Sequence, residues 1–487
     1  MSFEWPLVTV EEIAAKQPNA MSTGPFGSAI SSKYFTDSGV PVIRGSNLST
    51  DISTRIIDKG IVFVSFEKAK EFSRSVAKVD DLVFTCWGTI NQVGLIDASS
   101  EWKEYIISNK QMKLTVDKNI ADPRYVYYVF SSPEKQLEII ANGIGAAVPG
   151  FNLGQLKKHS LKLPPLNIQR AIADHLELLD KKLTSNRQIN QTLEQIAQAL
   201  FKSWFVDFEP VKAKIAVLEA GGSQEEATLA AMTAISGKDT DSLAVFAHER
   251  PEQYAELKAT AELFPSAMQD SELGEIPVGW EVGELSDLAL LNTSSWTKKN
   301  APESVSYVDL ANTKWGVINS VEEFIFSDAP SRARRILKPL DTIIGTVRPG
   351  NGSYAYINKD GLTGSTGFAV LTPKQEIFSE YIYLCATSKE SIERLAHLAD
   401  GGAYPAVNAD VVLSTQCIIP SEQKDLESLL REFSSKTKNI FSYSSHNLEQ
   451  NIILSQIRDT LLPKLLSGEI TLPEAETWAA QVDTQEA

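Results

Sequence analysis

The sequence predicts an α+β protein: two tandem β-rich modules, each followed by one long helix, with the two helices pairing as an antiparallel coiled coil. Three observations carry this expectation. At 487 residues the chain is longer than one hydrophobic core organises, and domains of roughly 150 residues suggest about three units. It matches itself at long range, the mark of a duplicated unit. Within each copy the apolar pattern changes from short β-like runs to helical spacing.

The self-matches keep their order. Glu4-Trp5-Pro6-Leu7-Val8 leading to Ile13-Ala14 recurs as Gly279-Trp280-Glu281-Val282 leading to Leu288-Ala289. Asp81 to Phe84 followed by Gly88-Thr89-Ile90 recurs as Asp341 to Ile344 followed by Gly345-Thr346-Val347. Gly145 to Asn152 recurs as Gly401 to Asn408, and Pro165 with Gln169-Arg170 recurs as Pro420 with Gln423-Lys424. Short Gly/Pro segments that matched by chance would rarely preserve such an order. Each copy opens on β-like runs, such as Val40 to Ile43 and Asp81 to Phe84, broken by Gly, Ser, Asn and Asp clusters.

From Ile168 the period changes. Ile172, Leu176, Leu179, Leu183, Ile189, Leu193, Ile196, Leu200 and Trp204 fall three or four apart, on one helical face. The second copy does the same with Leu426, Leu430, Phe433, Ile440, Leu448, Ile452, Ile457 and Leu461. The clusters Thr184 to Asn186 and Ser442 to Ser445 read as kinks or polar insertions, with no Pro or Gly to end either helix. Some 40 residues span about 60 Å. A single apolar stripe must be buried, and the nearest equivalent surface is its own duplicate, antiparallel if the modules occupy opposite ends.

Composition bounds the function. With 43% hydrophobic and 22% charged residues the chain reads as an ordinary globular protein. An acidic N-terminus and the lack of an ~18-residue apolar stretch predict a cytoplasmic protein with no membrane contact. Cys86, Cys385 and Cys417 and five histidines show no metal-ligand spacing, so neither a disulfide framework nor a zinc site is expected. The net charge of −16 looks unsuited to nucleic acid. Residues 207–275 and 469–487, however, carry −9 and −5 of it, leaving a nearly neutral body in which a local basic cleft is permitted.

The alternation of β-rich module and long helix resembles the layout of type I restriction-modification specificity subunits. Local sequences are similar too: Leu163-Pro164-Pro165-Leu166 with Gln169 at a helix entry, Leu462 to Ile470 at a helix exit, and Gly274 to Trp280 at the start of a recognition domain. Thr23 to Ser28 and Gly88-Thr89-Ile90 also match the pattern. The resemblance covers roughly residues 3–210 and 274–472. It implies target recognition domains at 1–163 and 274–419, spacer helices at 164–210 and 420–468, and an acidic tail at 469–487. An acidic, Ala-rich insert or linker at 211–273 departs from the layout.

The resemblance further implies a non-catalytic subunit that reads a bipartite double-stranded DNA target. Its helices would set the spacer and dock two methyltransferase subunits, with restriction subunits joining in the full complex. No cofactor is expected on this chain; S-adenosylmethionine, ATP and magnesium would sit on partner subunits. Reading DNA requires polar or cationic side chains on loops. In the first module the candidates are Lys33, Tyr34, Arg44, Ser46, Asn47, Arg74, Asn91, Gln92, Asn109 and Lys110. In the second they are Trp296, Lys298, Lys299, Lys314, Arg332, Arg334, Arg335, Arg348, Asn351 and Tyr354. Phe201, Trp204, Phe205 and Phe208 form an aromatic patch that a two-helix pair cannot wholly cover, so either the insert covers it or a partner docks there.

Catalytic motifs are missing from the sequence. Gly345 to Gly352 has P-loop glycine spacing but Asn-Gly where Lys-Ser/Thr must reach phosphate and magnesium. Leu163 to Leu166 lacks the amide or acid and the aromatic of the methyltransferase motif it superficially resembles. Gly24 to Gly27 and Gly145 to Pro149 read as structural turns. The alternative function is a spacer that bridges two proteins without DNA, separable by salt-dependent duplex binding.

Overall fold

The structure is a computed structural model, and it describes residues 5–27, 29–145, 149–399 and 405–473. The chain divides into two compact units: Met1–Gln188 with Asn447–Ala487, and Ile189–His446.

In the first unit, strand Leu7–Thr9 pairs antiparallel with Ser160–Lys162. An antiparallel sheet runs in the order Met21–Thr23, Gln111–Thr115, Asp81–Thr85, Val93–Leu95. A second sheet runs Phe35–Thr36, Val62–Val64, Val40–Ile43, Glu104–Ile107, Val76–Lys78. Its inner pair, Val40–Ile43 and Glu104–Ile107, is parallel, and Val42, Ile43, Ile106 and Ile107 are fully buried, as parallel strands require. Helix Pro123–Ser131 starts where Pro is free to start one, behind an Asp122 carboxylate that accepts from the Arg124 amide at 2.9 Å.

The second unit repeats this plan. Trp280–Glu284 pairs with Gln416–Pro420. One sheet runs Ala289–Leu291, Phe368–Pro373, Thr342–Gly345, Tyr354–Tyr356; the other runs Glu322–Ile325, Ser304–Val308, Leu362–Ser365, Ala333–Ile336, again with a parallel inner pair. Duplication extends to single bonds. Asp81 and Asp341 each accept a backbone N–H at 2.9 Å, from Lys78 and Lys338. Phe151 donates its amide to the Cys86 carbonyl as Val407 does to Thr346. The repeat read from Gly145 to Asn152 therefore holds at Gly150–Asn152 and Ala406–Asn408; residues 146–148 and 401–404 of it lie outside the described residues.

One match needs correction. Gly88 donates to the Pro149 carbonyl and Arg348 to the Pro405 carbonyl, so Arg348 is the counterpart of Gly88, and Gly345 the counterpart of Thr85. The left-handed backbone is kept, at φ +93° and +48°, while the glycine is not.

The long helices are Leu166–Phe205 and Gln423–Ser467, unbroken through both Ser/Asn clusters. In the first unit Ile172 and Leu176 share a core with Ile457, Leu461 and Leu465, and Asn186 donates to Asn451 at 3.0 Å. In the second, Asn190 donates to the Ser444 carbonyl at 2.9 Å and the Phe201 and Phe433 rings lie 6.4 Å apart. Numbers rise along one helix as they fall along the other, so the pairing is antiparallel. Ile189, Ile196 and Ile452, counted in the stripe, are exposed. The seam passes instead through Asn186, Asn190 and Ala197, which counting apolar residues alone passes over. At the helix entry, Gln169 is fully buried and bonds the Asp122 amide and the Ile120 and Pro164 carbonyls. At the exit, Gly468 takes φ +75° after Ser467.

The acidic insert folds as four helices, Glu209–Glu219, Gln224–Ser236, Thr240–Glu249 and Pro251–Glu262. Ser223 and Asp239 cap two of them, and Ala231, Met232, Leu243, Leu257 and Ala261 form a small core. Phe264 follows the fourth helix, and its ring meets Trp204 edge-on at 5.1 Å. Phe201, Trp204, Phe205 and Phe208 are all at most 5% exposed, packed with Phe264, Trp280, Tyr381 and Phe433. The docking assignment of these four is thereby overturned: their own unit covers them. The three cysteines are buried and unpaired, and no helix among the described residues is long and apolar enough to cross a membrane. Of the acidic tail, residues 474–487 lie outside the described residues.

Candidate nucleic-acid interface

In the first unit, the loops after strands Val40–Ile43 and Asp81–Thr85 and the turn before Gln111–Thr115 surround a cleft of about 590 Å³. Five of the expected residues line it: Arg44, Ser46, Gln92, Asn109 and Lys110. Arg44 bonds the Gly60 carbonyl at 3.1 Å and lies over the Phe35 ring, and its Nε is buried without a partner. Gln92 is held by the Leu48 carbonyl and the Thr85 hydroxyl. Asn109 donates to the Gly27 carbonyl at 2.9 Å. Gly24 is structural, as expected: a Cβ there would fall 1.8 Å from the Ser108 carbonyl oxygen.

Other residues expected in this unit sit outside the cleft. Lys33 lies over the Tyr34 ring at 4.6 Å, and Arg74 over the exposed Phe26 ring at 5.7 Å. Asn91 occupies the half-buried turn beside Gln92. Asn47 is a correction. It is 1% exposed, and its amide is spent on the Arg44 N–H and the Ile57 carbonyl, so it shapes the loop and cannot reach a base.

The second unit assembles two groups. Strand Ala333–Ile336, on a sheet edge, carries Arg334 and Arg335 just after the exposed Arg332, with the Trp296 to Lys299 loop beside it. Trp296 donates its amide to the Arg334 carbonyl and its indole N–H to the Thr363 hydroxyl at 2.9 Å. Arg334 stacks on Phe326 at 4.7 Å, while burial pulls the Arg335 guanidinium below its ordinary pKa. The other group is Lys314, Arg348 and Asn351 around a turn at Gly352. Lys314 donates to the Ser353 hydroxyl at 2.7 Å, and Asn351 donates its amide to the Arg348 carbonyl. Tyr354 is the second correction: 6% exposed and packed between Trp315 and Tyr383, it belongs to the core.

A family model described as the type I restriction modification DNA specificity domain matches residues 24–195 and again 277–450. The chain belongs to this family. The two matches contain the cleft and both second-unit groups, and leave the insert between them. The chain is 33% identical over 381 residues to the type I restriction enzyme HindI specificity subunit of Haemophilus influenzae, covering 75% of this chain and 81% of that one. It is 23% identical to the MjaIX specificity subunit of Methanocaldococcus jannaschii, over 86% and 84% of the two chains. The crystal structure of a type I restriction-modification S subunit from M. genitalium covers 95% of this chain and 96% of its own, at TM-score 0.49 and 14% identity.

Two exposed tryptophans escaped the sequence reading of this specificity chain. Trp87, on the rim of the cleft, is 51% exposed and rests on Gly150, where a Cβ would fall 2.6 Å from its ring. Trp315 is 56% exposed and rests on Gly352 in the same manner, at 2.5 Å. The signal was available: each tryptophan adjoins a glycine, Gly88 or Gly316, in a connection between two strands.

Proposed function

We propose that this chain is the non-catalytic DNA-reading subunit of a type I restriction-modification complex, each unit reading one half of a bipartite duplex target. The observation that supports this most is the duplication of one specificity module, each copy presenting cations and amides on loops around a buried sheet. Cationic loops supply phosphate contacts, and amide or guanidinium groups supply base-edge contacts. The paired helices would fix the unspecified spacer and carry two methyltransferase subunits. Restriction subunits join in the full complex, in the cytoplasm. S-adenosylmethionine, ATP and magnesium belong to those partners in this reading.

Binding of the full chain, alone or with its methyltransferase, to target duplex is expected to weaken steeply with salt. Charge reversal at Arg332, Arg334 and Arg335 is expected to lower affinity about tenfold or more and flatten the salt dependence, leaving subunit assembly intact. Inserting one helical turn near Leu193 is expected to lengthen the spacer found by methylation-site sequencing while preserving both half-sites. Methylation or cleavage by the purified chain alone, or duplex affinity indifferent to salt, would overturn the proposal.

A further inference from the structure

The cleft of the first unit is not a by-product of the fold, because at one position of its wall the second unit's equivalent strand end carries a leucine in place of a glycine. Strand pairing makes Gly45 the counterpart of Leu310: Ile43 pairs with Ile107 as Val308 pairs with Gly364. The Leu310 side chain fills its own loop junction, reaching 3.2 Å and 3.0 Å from where a Cβ would stand at Gly345 and Gly367. Gly45 is under no such pressure. Its nearest neighbours would lie 3.8 Å from an added Cβ, and its φ is not in the left-handed range. The glycine therefore keeps the space open rather than relieving the backbone.

What the space is suited to hold follows from its walls. The exposed Trp87 ring is pinned on one face by Gly150 and offers a rigid surface for stacking a planar ring. Arg44 and Lys110 supply positive charge, and Ser46 a hydroxyl, on the same cleft. Gln111, fully buried, lies at its floor. Base edges that remain stacked in a duplex are met by side chains protruding into a groove. A recessed polar floor meets only a base that has left the stack.

Resting on the DNA-reading function above, we infer that this cleft holds a single unstacked nucleotide, its base on Trp87 and its phosphate near Arg44 and Lys110. A nucleotide turned out of the target strand and a free nucleotide share that chemistry, and experiment separates the two sources.

The full chain is titrated calorimetrically with the four deoxynucleoside 5′-monophosphates. It is also titrated with target duplex carrying 2-aminopurine at successive positions of each half-site. Wild type is expected to bind at least one monophosphate, and to brighten 2-aminopurine at a single position of one half-site. Gly45→Leu, which copies the second unit, should lose both responses at least tenfold while melting at the wild-type temperature. Trp87→Ala should do likewise, and Trp87→Phe should retain part of the binding. Monophosphate binding that Gly45→Leu abolishes, without any brightening, supports the site with a free nucleotide as its source. Equal responses from wild type and Gly45→Leu overturn the site even where duplex binding stays salt-dependent. Loss of salt-dependent duplex binding in wild type would strike the DNA-reading function instead.

Discussion

Where the first unit's inner strand ends in Arg44-Gly45-Ser46, the second unit's ends in Asp309-Leu310-Ala311. Around that strand end, the positions of Lys110 and Gln111 are taken in the second copy by Gly367 and Phe368, and that of Trp87 by Val347. One copy has built an open, cationic, polar cleft on the scaffold; the other has filled it with leucine and moved its cations to the sheet edge at Arg332 to Arg335. Duplicated strands thus hold constant what the core demands, while each loop set is free to read a different surface. The helix pair shows the same division. In the first unit it is joined by the Asp180–Arg458 ion pair and Asn186, in the second by Phe201, Trp204, Phe205 and Phe433.

The largest effect is expected where that contrast is sharpest. Asp180 accepts from Arg458 at 3.2 Å and from the Tyr128 hydroxyl at 2.7 Å, with both charged side chains at most 7% exposed. Asp180→Ala strands a buried arginine and should cost about 3 kcal/mol, the low end for such a loss because Asp459 still holds Arg458 at 2.9 Å. Replacing both residues by leucine and methionine should recover most of it. Denaturant unfolding of the two variants measures the difference, and a single variant within 0.5 kcal/mol of wild type, an order-of-magnitude limit for surface changes, would show that the pair is not structural.

Next comes the plug itself. Leu310→Ala should destabilise the second unit by about 2 kcal/mol, since it empties a partly buried site against Leu337, Phe368 and their neighbours. Hydrogen exchange should quicken in strands Ser304–Val308 and Leu362–Ser365 and not in the first unit. Protection unchanged there would mean that Leu310 fills nothing, and the comparison with Gly45 would lose its meaning.

What the sequence disclosed follows from these forces. The duplication was legible because Asp81 and Asp341 serve the same backbone bond, one that either copy of the fold must make. The Gly88–Arg348 equivalence was not, since a left-handed turn fixes backbone shape and only favours glycine. Asn186 was missed as a seam residue because burial of an amide depends on partners from the other helix, which spacing within one helix does not reveal. The cleft candidates were found by residue type on loops, and the same rule wrongly admitted Asn47 and Tyr354, whose polar atoms or rings serve the interior.

The smallest effect probes a carboxylate that faces tyrosine without an arginine. In the first unit, Tyr128 meets Asp180, which Arg458 also holds; in the second, Tyr383 meets Glu194, a hydrogen bond to a hydroxyl in place of an ion pair. Burial raises the Glu194 pKa above its ordinary 4.5, and the Tyr383 bond offsets this only in part. The folded protein therefore keeps a proton that the unfolded chain has released once pH exceeds 4.5. Stability falls as pH climbs from there through the raised folded value, and then levels off. Glu194→Gln removes the titration while keeping a partner for the hydroxyl. Its Tm should match wild type near pH 4, exceed it at pH 8, and change less between them. Parallel Tm profiles for the two proteins would mean that Glu194 ionises as freely in the fold as outside it.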